Sequence, residues 1–335
     1  MKIVICDYPD TLRQRKLDYE VQLLHTALPD SEVCIVPYES REQMTDALKD
    51  ADALLTAFAP VDDALLAQCP QLRCISVNAT GFDAIDVKAA TAHGVCVCAI
   101  REYCTEDVAD FTMSLLLALG KRLKAHGYRV EREKMWQYRA VGPVMRLRGK
   151  TLAVFGFGRI GQAVAQRAKA FGMRILAVDP YLPPSVAEAQ GAELVEREQA
   201  CCEAHFITNH MMATPQNRDY FDEAFFRALQ NQPVFVNAAR AETVDEKALA
   251  AALDEGLVSA AGLDVLKNMG LDLAENPLVG RENVIITPHA AFYTTESLRA
   301  LQDISCQNMI ACLQGRSQEA FICLNEKELA EAAKR

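Results

Sequence analysis

Short apolar runs alternate along the chain with longer stretches in which apolar residues recur every three or four positions. In the first hundred residues the runs lie at 3–6, 33–36, 53–57, 73–77 and 95–98, with helix-period stretches at 11–28, 41–50 and 62–68. That alternation predicts a small α/β unit with a mostly parallel sheet. The longest helical pattern, 102–123, follows. Thr105 ahead of Glu106 and Asp107 suits its start, and Lys121, Arg122 and Lys124 suit its end. Residues 127–149 are basic, irregular toward their end, and hold the single tryptophan, Trp136. They read as a mobile arm or subunit contact, or equally as a surface helix and loop. Strand-like runs resume at 152–155, 175–178, 206–208, 234–236, 259–263 and 284–286, with helices expected at 219–229, 245–255 and 294–315.

The run at 152–155 enters Gly156-Phe157-Gly158-Arg159-Ile160-Gly161, a helical stretch follows, and the next run ends in Asp179, 18 residues past the last glycine. A lone G-x-G-x-x-G is weak evidence. Preceded by a strand, followed by a helix and completed by the acid, it has the context of a dinucleotide site. Gly156 permits the tight turn, Gly158 lets a pyrophosphate approach the backbone, and Gly161 lets the helix lie close on the strand. The helix start at Arg159 and Ile160 offers N–H groups and the positive dipole end. Asp179 can accept from a ribose 2′-hydroxyl and would repel a 2′-phosphate, so the expected cofactor is NAD rather than NADP.

Three later runs end in Asn237-Ala238-Ala239-Arg240, in Asp264, and in Thr287-Pro288-His289. Ligands of doubly wound sheets sit beyond the carboxyl ends of the strands, so Arg240, Asp264 and His289 are expected on one rim. A guanidinium fork suits a carboxylate, and an imidazole suits transfer of a hydroxyl proton. Together they suit hydride exchange with a 2-hydroxy or 2-oxo acid. His210, after the run at 206–208, is expected to line the cofactor crevice.

Composition narrows the possibilities. A formal net charge of −10 argues against a nucleic-acid partner. No apolar run approaches the ~20 residues that a membrane helix needs, and Asp7 comes too early for a secretory segment, so a cytoplasmic protein is expected. The twelve cysteines show no C-x-x-C and no paired spacing suited to zinc. They read as small buried thiols in a reducing compartment, with no metal site.

At this point the residues resemble a known family, the D-isomer-specific 2-hydroxyacid dehydrogenases. The likeness rests on the glycine fingerprint, on Asn237 to Arg240 followed by Val244-Asp245-Glu246, on Ala261-Gly262-Leu263-Asp264-Val265, and on Thr287 to Ala291. Residues 104–110, 289–293 and 323–327 are similar to the branch holding the C-terminal-binding-protein corepressors and related bacterial enzymes. The resemblance implies two doubly wound parallel-sheet domains: a Rossmann NAD-binding domain (101–292) inserted into a smaller flavodoxin-like substrate domain (1–100 and 293–335). It also implies a homodimer, with Trp136 in the dimer arm, and a cleft that closes on the substrate. It makes Arg240 the carboxylate binder and His289 the acid/base, and it puts Val108, Thr214, Ala238 and Asp264 with the cofactor. The loop of Asn78, Ala79, Thr80 and Gly81 would offer backbone N–H groups to the substrate, and Phe292 would line the pocket.

One family position departs. A glutamate is expected five residues after Asp264, where it holds the tautomer of the histidine; here that residue is Met269, followed by Gly270. Asp272 and Glu275 are the acids near enough in sequence to replace it. The leading expectation is an NAD-dependent dehydrogenase of a small D-2-hydroxy acid. The alternative is a weakly active or inactive NAD-binding regulatory or scaffold protein; a third reading is a dehydrogenase of formate or phosphite, which members of this family also oxidise.

Overall fold

The computed structural model describes residues 1–267 and 273–332. The chain divides into two compact units, Met1–Tyr103 with Thr294–Arg335, and Cys104–Tyr293.

In the first unit, β1 (Lys2–Asp7), β2 (Glu32–Pro37), β3 (Ala53–Thr56), β4 (Cys74–Val77) and β5 (Cys96–Cys98) form a sheet of order β2-β1-β3-β4-β5. Every pairing is parallel. Alternation along β1 sends Ile3 and Ile5 to one core cluster and Val4 and Cys6 to another. Both faces of β1 are therefore buried, which is why it appears as an unbroken apolar run, whereas the edge strand β2 is partly exposed. Helix Thr295–Leu313 covers the face of Ile3 and Ile5 through Cys306, Met309 and Leu313.

The helical stretch expected at 11–28 is in fact two helices, Pro9–Gln14 and Leu17–Ala27. The break turns Arg15 inward, where its guanidinium donates to Glu20 through Nε (2.9 Å) and Nη2 (2.5 Å) and lies 3.8 Å from Asp7. Asp7 and Glu20 are fully buried. Periodicity could not reveal this, because a buried ion cluster interrupts the apolar pattern it sits in.

In the second unit, β6 (Thr151–Phe155), β7 (Arg174–Val178), β8 (Glu193–Leu194), β9 (Phe206–Asn209), β10 (Val234–Asn237), β11 (Ala260–Leu263) and β12 (Val284–Ile286) form an all-parallel sheet. Its order is β12-β11-β10-β9-β6-β7-β8. Ala153 and Phe155 face a cluster containing Phe221, Phe225 and Phe235, while Leu152 and Val154 face Leu116, Leu119 and Val164. The edge strand β8 has two residues and no apolar run, so it left no trace in the pattern.

The helix expected at 102–123 spans Thr105–Gly120, with Cys104 rather than Thr105 at its N-cap. It ends because Arg122 takes a left-handed conformation (φ 50°), from which a second helix, Leu123–Glu131, departs. The basic residues bind the loop beyond: Lys121 Nζ donates to Met145 O (2.6 Å) and Arg122 Nη1 to Val141 O (2.7 Å). At 219–229 only Glu223–Arg227 is helical, capped by Asp222, which accepts from Phe225 N. Among the described residues, no helix is long and apolar enough to cross a membrane.

Candidate active site

The glycine loop leaves the carboxyl end of β6. Gly156 has φ 82° and donates its N–H to Val178 O at 3.0 Å. The three fingerprint glycines differ in what surrounds them. A Cβ on Gly156 would lie 2.7 Å from backbone atoms of His210 and Met211, and one on Gly161 would lie 2.3 Å from Gly156 O. Among the described residues, nothing lies within 4 Å of a Cβ on Gly158. Two glycines are thus needed by the protein's own packing, and the third borders open space. Helix Arg159–Ala170, which contains Ile160, begins beside that space with no side-chain cap, so its first-turn N–H groups suit an anion.

Asp179 accepts from Phe157 N (2.9 Å) and from Tyr181 N (3.0 Å), tying the glycine loop to the end of β7. His210 donates its backbone N–H to Phe155 O (2.7 Å). Its two ring nitrogens are shielded and have no hydrogen-bond partner among the described residues. Burial pushes its pKa down to about 4, so the ring is neutral at neutral pH. Open space at Gly158, an uncapped helix start, a rim carboxylate and an unsatisfied imidazole together fit a dinucleotide. Val108 is buried in the first turn of Thr105–Gly120, Ala238 is half-buried, and Thr214 is exposed in a capping box with Asn217.

The adjacent strands β10, β11 and β12 bring Arg240, Asp264 and His289 to the same end of the sheet. Asp264 is buried, and its carboxylate fastens the loop that follows β12: Oδ1 accepts from Thr287 Oγ1 (2.6 Å) and Ala290 N (2.8 Å), and Oδ2 from Ala291 N (2.9 Å). Its carbonyl accepts from His289 N at 2.7 Å. Held this way, His289 has φ 53°, a left-handed conformation that non-glycine residues adopt rarely and that gathers at functional sites. Phe292 meets the His289 ring edge-on, with centroids 5.9 Å apart.

Arg240 is exposed, and its side chain forms no ion pair among the described residues; Nη1 donates to the neighbouring Ala239 O. Its backbone is fixed by a buried amide network that sequence reasoning missed. Asn209 Nδ2 donates to Asn237 Oδ1 (3.0 Å) and Thr243 Oγ1 (2.8 Å), while Asn237 Nδ2 and Thr243 Oγ1 both donate to Arg240 O. Two asparagines ending paired apolar strands were the available signal.

Met269, Gly270 and Asp272 lie outside the described residues. Glu275 is exposed, and no carboxylate among the described residues hydrogen-bonds the His289 ring. Glu246 accepts from Lys267 N (2.6 Å) and Asn276 Nδ2 (3.2 Å), joining residues on either side of that segment. In the first unit, Asn78 is buried and donates Nδ2 to Ser305 Oγ at 2.7 Å, whereas Ala79 is half-buried and Thr80 and Gly81 are exposed.

With this geometry in hand, residues 113–291 match the model of the D-isomer specific 2-hydroxyacid dehydrogenase, NAD binding domain. The chain belongs to the D-isomer specific 2-hydroxyacid dehydrogenase family, and its cofactor is NAD. It is 36% identical over 281 residues to a glyoxylate reductase of Korarchaeum cryptofilum, covering 82% of this chain and 84% of that one. It is 37% identical over 285 residues to a D-3-phosphoglycerate dehydrogenase of Methanocaldococcus jannaschii, covering 84% of this chain. The match covers 54% of that longer protein. In three dimensions it resembles the D-lactate dehydrogenase of Aquifex aeolicus, solved with NAD and lactic acid (27% identity, TM-score 0.75, 94% of this chain and 96% of that one).

Proposed function

We propose that the chain interconverts a small D-2-hydroxy acid and its 2-oxo acid. NAD, when bound, supplies or accepts the hydride at its nicotinamide ring. Arg240, with an exposed guanidinium, receives the substrate carboxylate as a fork. His289 donates a proton to the carbonyl oxygen during reduction and removes it from the hydroxyl during oxidation. Asp264 positions His289 by holding the loop from Thr287 to Ala291, and Phe292 limits the ring's rotation. The observation that carries this reading is the delivery of Arg240 and His289 to one sheet end, with the backbone of each fixed by buried polar groups. The names of the relatives support the reaction class.

The experiment is NADH oxidation with glyoxylate, hydroxypyruvate, pyruvate, phenylpyruvate and 2-oxoisocaproate, alongside NAD reduction with formate and phosphite. We expect turnover of at least one 2-oxo acid, with kcat/KM lowered about 10²–10⁴-fold in His289→Gln and at least about 10²-fold in Arg240→Gln. NADH binding without turnover of any 2-oxo acid would favour the regulatory reading that Met269 invites. Trp136, 91% exposed, and Tyr138, 74% exposed, support a homodimer contact. Light scattering of the Trp136→Ser protein, expected to shift toward monomer, tests it.

A further inference from the structure

Cysteines that are scattered in the sequence converge in the first unit. Cys74 and Cys96 are register partners on β4 and β5, and Cys98, two residues on, shares their face of the sheet. Cys312 comes from the last turn of Thr295–Leu313, which covers that face. Cys323 arrives on the C-terminal segment, which pairs antiparallel with the end of β5: Cys323 lies opposite Cys98, Ala99 N donates to Ile322 O, and Leu324 N donates to Val97 O. The sulfurs of Cys74, Cys98 and Cys312 lie within 4.8 Å of one another, and so do those of Cys96, Cys98 and Cys323. Within the second set, Cys96 Sγ is 3.7 Å from Cys98 Sγ and 3.0 Å from Cys323 Sγ.

We propose that these five thiols form a binding site for a soft monovalent d¹⁰ metal ion of the Cu(I) kind, with Cys98 shared between two three-thiolate positions. The donor set is sulfur alone, with no imidazole or carboxylate in either group, and all-thiolate sets select soft ions. Each position offers three sulfurs, whereas a structural zinc takes four ligands. With metal–sulfur bonds of ~2.3 Å, three sulfurs in a plane around an ion stand ~4 Å apart, within reach of the present spacing by small side-chain movements. Each ligand loses a proton to solvent as the ion binds. Cys74, Cys96 and Cys98 are buried, while the half-buried Cys312 and Cys323 leave a route in from solvent. An ion held here would tie the C-terminal segment and Thr295–Leu313 to the sheet, so binding would raise stability.

The test uses the full chain, reduced, stripped with chelator and handled without oxygen. Cu(I), delivered as its acetonitrile complex, is added, with Zn²⁺ in a parallel arm. Metal retained through gel filtration, reagent-accessible thiols and the melting temperature are measured. We expect about one or two Cu(I) per chain, fewer accessible thiols and a higher melting temperature. All three effects should disappear in Cys98→Ser, which breaks both positions, and persist in Cys201→Ser, a thiol of the other unit. If Cys98→Ser does not fold, Cys312→Ser combined with Cys323→Ser alters only half-buried positions and makes the same test. Folded, reduced protein that retains no Cu(I) overturns the proposal. So does retention of zinc in preference to Cu(I), retention unaffected by these substitutions, or reaction of the cluster only as a Cys96–Cys323 disulfide.

Discussion

The sheet of the first unit reverses its strand order between β1 and β3, and that of the second between β6 and β9. The carboxyl ends of such strand pairs are where doubly wound folds bind ligands. In the first unit the place is taken by the protein itself. Asp7, the last residue of β1, accepts from Ala57 N (2.6 Å), Tyr8 N (3.0 Å) and Phe58 N (3.3 Å), with Arg15 behind it. Burial raises the pKa of Asp7, while these donors and Arg15 pull the other way. In the second unit, among the described residues, the corresponding place has Gly158 with nothing within 4 Å of where its Cβ would lie and His210 with two ring nitrogens that lack a hydrogen-bond partner. One crevice has its own internal anion, and the other leaves donors and space for an external one. A topology therefore supplies a place for a ligand; whether the site exists depends on which side chains are left out.

Substitutions sharpen that contrast. The largest effect is expected from Asp7→Ala, which leaves three backbone donors without their acceptor and Arg15 with Glu20 as its one remaining carboxylate partner among the described residues. It should cost about 3–5 kcal/mol by denaturant titration and leave NADH affinity unchanged; a gain of NADH binding would contradict the internal-anion account. Gly161→Ala should cost about 2–3 kcal/mol and also weaken NADH, because its Cβ would press on the backbone of Gly156.

His210 gives a pH test. Its folded pKa of about 4 lies below the ~6.5 of an unfolded histidine. Its contribution is therefore complete above pH ~6.5 and is lost as pH falls toward 4, at ~1.4 kcal/mol per pH unit. Between pH 6.5 and 5 the cofactor-free protein should lose about 2 kcal/mol more stability than His210→Asn, and parallel curves would refute the unsatisfied neutral ring. The smallest change is Gly158→Ala. Stability should move by less than about 1 kcal/mol, while the Kd for NADH rises about tenfold, equal to ~1.4 kcal/mol. Equal losses in Gly158→Ala and Gly161→Ala would erase the distinction between a packing glycine and a ligand glycine.

Parallel strands buried on both faces are written as contiguous apolar runs, so the positions of β1, β6 and β10 could be read directly. The fingerprint was legible because its work is local: a turn, a helix start and an acid at fixed spacing. Placement of Arg240 and His289 on one rim followed from strand ends and one topological rule. The short helices Val87–Ala92, Pro184–Ala189 and Arg197–Glu203 were not read, since one or two turns carry too little periodicity to separate them from loop. The hydrogen bonds of Asp264 to Thr287, Ala290 and Ala291 and the amide network under Arg240 were also invisible, because each joins segments that are distant along the chain.

The sequence by itself determined the fold class, the family and the chemistry on offer, because strand burial, glycine spacing and the types of reactive side chain are written locally. Tertiary structure alone decided that Gly158 faces space while Gly156 and Gly161 face backbone, that His289 is held left-handed by Asp264, and that five cysteines from four segments meet. Each depends on distances between residues far apart in the chain, and such distances exist only once the sheets have formed and their helices have packed.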